Sequence, residues 1–240
     1  MAIGPDRRTM TPAQTRAAEI DVGLRSYMLR VYNYMSLGVA FTGIVSLLVA
    51  MNPAVMQAVV GGPFVFVLII GVLGLGWFAP RLMMSGSVIT AQACFWVYAG
   101  LWGALIAPYF YIYTGDSIAR VFFISAGAFA GLSLFGYTTK RNLAPLGAFF
   151  TMAFIGVIIA LFVNFLLVQS AGFDLLISVI AVLLFAGVTA YYTQMIKGMY
   201  AEADAGDVAT RKAIFGAFAL YGAFIGLFIY LLHIFGVMRD

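Results

Sequence analysis

Seven apolar runs constrain this chain more than anything else in it. They lie near Val31–Ala50, Pro63–Ala79, Val88–Ala107, Arg120–Tyr137, Leu146–Gln169, Asp174–Gln194 and Ala213–Phe235. Each holds roughly 17–24 residues, and a helix rising ~1.5 Å per residue needs about 20 to cross a hydrocarbon core ~30 Å thick. Composition agrees: 64% of the 240 residues are hydrophobic and 9% are charged. A soluble domain carries about 25% charge and could not hide so much apolar surface. The fold class expected is therefore all-α and integral to the membrane: a seven-helix transmembrane bundle with short loops and an N-terminal amphipathic helix.

The breaks between runs have local causes. Asn52-Pro53, Gly61-Gly62-Pro63, Ala79-Pro80-Arg81 and Pro108 stop helices because proline lacks an N–H and clashes with the preceding turn. Thr114 to Asp116, Lys140-Arg141-Asn142, Ser170-Ala171-Gly172 and the charged segment from Gly198 to Lys212 supply the other turns. If the N-terminus is cytoplasmic, eleven of the 13 basic residues fall on the cytoplasmic side, leaving Arg120 and Arg239 outside. That asymmetry predicts a cytoplasmic N-terminus in a multi-pass protein. The five arginines before Val31 precede any apolar stretch, so the N-terminus does not read as a signal peptide. The expected organisation is residues 1–30 as cytoplasmic tail and amphipathic helix, 31–236 as membrane domain, and 237–240 as a C-terminal tail.

Within Ala17 to Met35, the residues Ile20, Leu24, Tyr27, Met28, Val31 and Met35 recur at three- and four-residue spacing. Such a helix can lie at the headgroups before turning into the first span. Gly127/Gly131 and Gly222/Gly226 have the spacing that lets helices approach closely in lipid. The run Phe173 to Lys197, with its polar corner of Thr189, Tyr191, Tyr192, Thr193, Gln194 and Lys197, is the expected centre of the bundle.

An ionisable side chain deep in a span is the best pointer to function in a membrane protein, because it is expensive there. None of the nine acids is placed deep in a span: Asp116 and Asp174 sit at outer ends, and Glu202, Asp204 and Asp207 in an inner loop. No catalytic set, phosphate-binding loop or metal-ligand spacing is present, so the chain is expected to be no enzyme, with no cofactor and no metal. The single cysteine, Cys94, reads as a buried small apolar residue, and His233 as an interfacial or packed one. The basic balance reflects topology rather than nucleic-acid binding.

Three segments resemble the Bax inhibitor-1 (transmembrane Bax-inhibitor-motif) family of bacteria. They are Ala-Glu-Ile-Asp-Val-Gly-Leu-Arg at Ala18 to Arg25 with the Tyr-rich stretch Tyr27 to Met35, Phe129 to Arg141 with its Gly-Tyr-Thr-Thr-Lys-Arg, and Val188 to Gln194. The resemblance covers about Ala18 to Gly236. It implies seven helices in the bacterial inner membrane with the sixth or seventh central. It also implies a pH-sensitive calcium leak linked to ion homeostasis or stress, or restraint of a membrane-anchored protease. In the leak, two aspartates on the last two helices share a proton, and one pKa is raised because both cannot ionise cheaply.

Both aspartate positions differ here. One is Tyr192 and the other Ala223, while Gly226 replaces an asparagine and Asn142 follows Lys140-Arg141 where relatives often carry aspartate. Arg81 is the nearest counterpart of an arginine that relatives carry after the second helix. Tyr192 is expected to fill volume left by Ala223, with Gly222 and Gly226 letting the helices close, or else to sit in an interfacial aromatic belt. The function expected is a Bax inhibitor-1-like cation (calcium) leak without the di-aspartyl gate. The alternative is a regulatory or scaffold protein that binds a membrane protease or other membrane partner. A small-molecule transporter finds less support, because no inverted repeat or interrupted helix pair is visible.

Overall fold

In the computed structural model, which describes residues 12–204 and 206–239 with side chains from Val22 onward, the chain is helical almost throughout. Helix α1 (Pro12–Ala50) is followed by the short α2 (Pro53–Gly61), then α3 (Phe64–Ser85), α4 (Val88–Ile106) and the one-turn α5 (Tyr109–Ile112). After α6 (Gly115–Thr138), α7 (Leu146–Val163) runs into a π-helical turn, Asn164–Val168, and α8 (Ala171–Gly198) and α9 (Asp207–Phe235) complete the bundle. Among the described residues, seven helices are long and apolar enough to cross a membrane.

Capping follows the residues available. Asn52 Oδ1 accepts from the N–H groups of Ala54 and Val55, with Pro53 at the first helical position of α2. Ser87 caps α4 through Thr90 N, and Ser170 caps α8 through Phe173 N. Each cap satisfies an N–H that would otherwise be orphaned. Proline does not end the second span as expected. Helix α3 continues through Pro80 to Ser85, and Gly86 N closes it on Leu82 O. Proline in a membrane helix is tolerated where neighbouring groups compensate for the lost bond.

Helix α1 runs unbroken for 39 residues. At ~1.5 Å per residue it is about 58 Å long, nearly twice the ~30 Å apolar thickness of a bilayer. Its first turns therefore project beyond the membrane. They are not left alone there: the Tyr200 hydroxyl packs directly on Gly23, the rings of Tyr27 and Tyr200 lie 5.8 Å apart, and Tyr27 donates to Lys212 O at 3.4 Å. Lys212 in turn pairs with Asp204 at 2.5 Å and donates to Met199 O. The start of α1 and the charged α8–α9 loop thus hold each other. The tail before Pro12, including Arg7 and Arg8, lies outside the described residues, as do the side chains of Ile20 and Glu19.

The centre is α9, not α8. In its membrane-spanning window 72% of residues are buried, against 28% for α8 and 6% for α7. Helix α9 touches α1, α3, α4, α6 and α8, whereas α7 leans on α8. Tyr221 shows the difference: it is fully buried, its hydroxyl meets Thr42 Oγ1 at 2.7 Å, and its ring packs edge-on to Phe95 and Tyr98. Helix α8 misled because its polar corner stands out in the sequence, whereas α9 is marked only by small residues. Gly216, for example, brings the α9 backbone against Ile196 of α8 and Val31 of α1.

Helix direction alternates, so the bundle has two distinct ends. Arg25, Arg30, Arg81, Lys140, Arg141, Lys197, Arg211 and Lys212 lie toward one, here called the basic end, with Arg120 and Arg239 toward the other. At the opposite end the C-terminal segment ties in, with Arg239 N donating to Ile112 O and Thr114 N to Val237 O. His233 is there too, half-buried, 3.1 Å from the Tyr109 hydroxyl.

Candidate functional site

The polar corner of α8 is a joint between helices. Thr193 Oγ1 bonds its own Thr189 O and lies 2.9 Å from Ser133 Oγ of α6, which also meets the Tyr32 hydroxyl of α1. Three helices are therefore linked by hydroxyls, a fitting device where lipid offers no competing hydrogen bonds. The next residue, Gln194, grips the α6–α7 loop from both sides, accepting from Leu143 N at 2.7 Å and donating to Arg141 O at 2.8 Å. Lys197 donates to Tyr137 O at 2.8 Å, and its ammonium lies 4.6 Å from the Tyr137 ring centroid. It thereby satisfies a carbonyl near the C-terminus of α6, where positive charge is favoured.

Gly136 explains how α6 comes so close. A Cβ there would strike the backbone of Ala190, so only glycine fits. The expected glycine seams behave differently. Gly127, Gly131 and Gly222 each face open space, while Gly226 alone of those four is closely packed, against the Phe185 ring. Spacing alone does not make a seam; what the Cβ would meet does.

The positions matched to the aspartate pair sit on the two helices that pack along each other, α8 and α9. Phe185 against Gly226 and Ile196 against Gly216 set their antiparallel register. By that register Tyr192 is level with about residue 220 and Ala223 with about residue 188, one helical turn or ~5 Å apart. Cα–Cβ bonds tilt toward the helix N-terminus, so the Tyr192 ring leans back toward the level of Ala223. Tyr192 is half-buried against the main core, its ring 5.5 Å from that of Tyr191, and Tyr98 of α4 belongs to the same core. Tyr98 itself packs on Phe218 and Tyr221 of α9. Among the described residues the Tyr192 hydroxyl makes no hydrogen bond. Ala223 is 2% exposed, so its methyl is enclosed by the bundle.

Of the other candidates, Gly226 lies one turn from Ala223 on α9, while Arg81 and Asn142 lie toward the basic end. Arg81 is exposed near the C-terminus of α3, its carbonyl accepting from Ser85 Oγ. Asn142 is exposed in the loop that Gln194 grips, where its Oδ1 accepts from Ala144 N at 2.9 Å. Gly226 is filled by Phe185, whose ring also stacks on Tyr230 at 5.9 Å. Tyr32, Ser133 and Gly136 went unnoticed in the sequence as a group. The signal was present for all three, because Tyr32 falls within the Tyr27 to Met35 stretch and Ser133 and Gly136 within the Phe129 to Arg141 segment. Among the described residues no three His, Cys, Asp or Glu side chains come together as a metal-binding set.

Comparison with known proteins agrees over most of the chain. A family model described as "Inhibitor of apoptosis-promoting Bax1" matches residues 24–240. A Rickettsia prowazekii protein, Uncharacterized protein RP147, is 40% identical over 220 residues, 92% of this chain and 93% of its own. A Caulobacter vibrioides protein is 39% identical over 240 residues, covering 95% of each chain. The inner membrane protein YbhL of Escherichia coli K12 is 38% identical over 220 residues, 90% of this chain and 94% of its own. With a family match from Leu24 to the last residue and relatives aligned along nearly their whole lengths, the chain belongs to the Bax inhibitor-1 family of membrane proteins.

Proposed function

We propose that this is an inner-membrane protein, N-terminus in the cytoplasm, that acts without catalysis as a cation leak, calcium among its ions, lacking a proton-sharing gate. The observation that carries it is the pair Tyr192 and Ala223, one a half-buried phenol and the other a methyl enclosed at 2% exposure. Neither titrates near neutrality, so neither can convert a pH change into the repulsion and release that two close carboxylates produce. The name of YbhL supports the inner membrane, and the basic end of the bundle supports the orientation. The test is calcium flux into proteoliposomes holding the full chain, from about pH 6 to about pH 8, the range in which such a pair would titrate. A flux that stays level is expected; one that switches with pH contradicts the loss of the gate.

A second function is favoured by the mutual clamp of the α1 extension and the α8–α9 loop. Tyr27, Tyr200, Lys212 and Asp204 make a fixed, charged platform at the basic end. In this role the protein regulates or scaffolds a membrane partner such as a membrane-anchored protease. Absence of calcium flux, together with partners in a pull-down that are lost when residues 1–19 are removed, would favour it. Partners unchanged by that deletion would count against the tail as the contact.

A further inference from the structure

Helices α1 and α6 both lean on α9 and meet at the Tyr32–Ser133 hydroxyl bond, but they do not pack along each other, and the gap between them is a groove of about 980 Å³. It opens sideways, to the surface that lipid covers. Arg25 lines its basic end, and Tyr137, the residue under the Lys197 ammonium, lines the same end from α6. The Tyr32 hydroxyl and Ser133 come next, seven residues or ~10 Å further along α1. Beyond them the walls are apolar: Val39, Ala40 and Gly43 on α1, Ala126 and Phe129 on α6, with Phe224 of α9 as floor.

We propose that this groove is a binding site for an acidic phospholipid of the leaflet at the basic end, its phosphate at Arg25 and an acyl chain along α1 toward Gly43. Two observations select that occupant. The first is polarity order: cation, then hydroxyls, then hydrocarbon, the sequence of groups met along a phospholipid from phosphate through ester to chain. The second is length. From Tyr32 to Gly43 is eleven residues, ~17 Å, close to half of a ~30 Å hydrocarbon core and so to the reach of one leaflet. Basic pockets between membrane helices at the cytoplasmic face take acidic headgroups for the same electrostatic reason.

Native mass spectrometry of the full chain from mild detergent, titrated with phosphatidylglycerol or phosphatidylcholine, tests this. One tight phosphatidylglycerol adduct is expected, with weaker phosphatidylcholine binding and no adduct from inorganic phosphate. Arg25→Gln should weaken phosphatidylglycerol binding roughly fivefold, since one surface cation is worth ~1 kcal/mol toward an acidic lipid. Ala126→Trp, which fills the groove, should abolish the tight adduct while Arg25→Gln leaves chain uptake partly intact. Ile159→Trp on the lipid-facing side of α7 should change nothing, which controls for folding and general lipid contact. Equal binding of both lipids, or unchanged binding in both groove variants, overturns the proposal. So does a second copy of the chain, rather than lipid, as the species lost with Ala126→Trp.

Discussion

Helices α7 and α9 are both apolar spans, and α7 is the more hydrophobic, with hydropathy 2.6 against 2.1. Yet 6% of the α7 window is buried and 72% of the α9 window. In water the greasier helix would take the centre. In a bilayer the lipid is as apolar as leucine, so hydrophobicity gives no reason to be inside. What places α9 at the centre is its capacity for close packing and a few polar bonds. Gly216 and Gly226 admit neighbours, Ala217 and Ala223 keep the surface low, and Tyr221 bonds Thr42.

That contrast can be broken by substitution, and the largest effect should come from the largest buried side chain. Tyr221→Ala on α9 removes a fully buried ring and its bond to Thr42, at a cost of about 3–5 kcal/mol. Phe162→Ala on α7, a residue 62% exposed, should stay within about 0.5 kcal/mol. Thermal unfolding in detergent, followed by size-exclusion or dye binding, reads both. Equal losses would mean that α9 is not the packing centre.

Glycines offer a finer version of the comparison. Gly226→Ala puts a methyl into the Phe185 ring and should cost about 1–2 kcal/mol by overpacking. Gly156→Ala on α7 and Gly222→Ala on α9 both meet open space and should be neutral or stabilise by up to about 1 kcal/mol, as the helix loses a flexible residue. If Gly222→Ala and Gly226→Ala behaved alike, the four-residue spacing would matter more than the contacts. A modest effect belongs to the hydroxyl joint. Ser133→Ala should cost about 0.6–1 kcal/mol, because Thr193 keeps its bond to Thr189 O.

Span number and approximate limits were legible because lipid forces each crossing to be a helix of about 20 apolar residues. Proline was a poorer guide: Pro80 sits inside α3, where a soluble helix would have ended. The order of burial was not legible, since the most apolar of α7, α8 and α9 is the least buried, and packing depends on what faces each glycine. Gly136 belongs to no small-residue pair singled out in the sequence, yet it makes the contact with the Ala190 backbone. The polar corner of α8 was visible, but its partners, Ser133, Leu143 N and the carbonyls of Tyr137 and Arg141, come from positions 51 to 60 residues away. The family match drew attention to Tyr192 and Ala223; the structure adds that they stand about one turn apart, on helices held in register by Phe185 and Ile196.

The central proposal is that the family's bundle is retained without the proton-sharing pair that the resemblance implies. Calcium flux of the double variant Tyr192→Asp, Ala223→Asp, measured beside the wild type in proteoliposomes from about pH 6 to about pH 8, tests it most directly. The expected result is a level wild-type flux and an acid-sensitive flux in the folded double variant. An acid-sensitive wild type, or a folded double variant as level as the wild type, would contradict it.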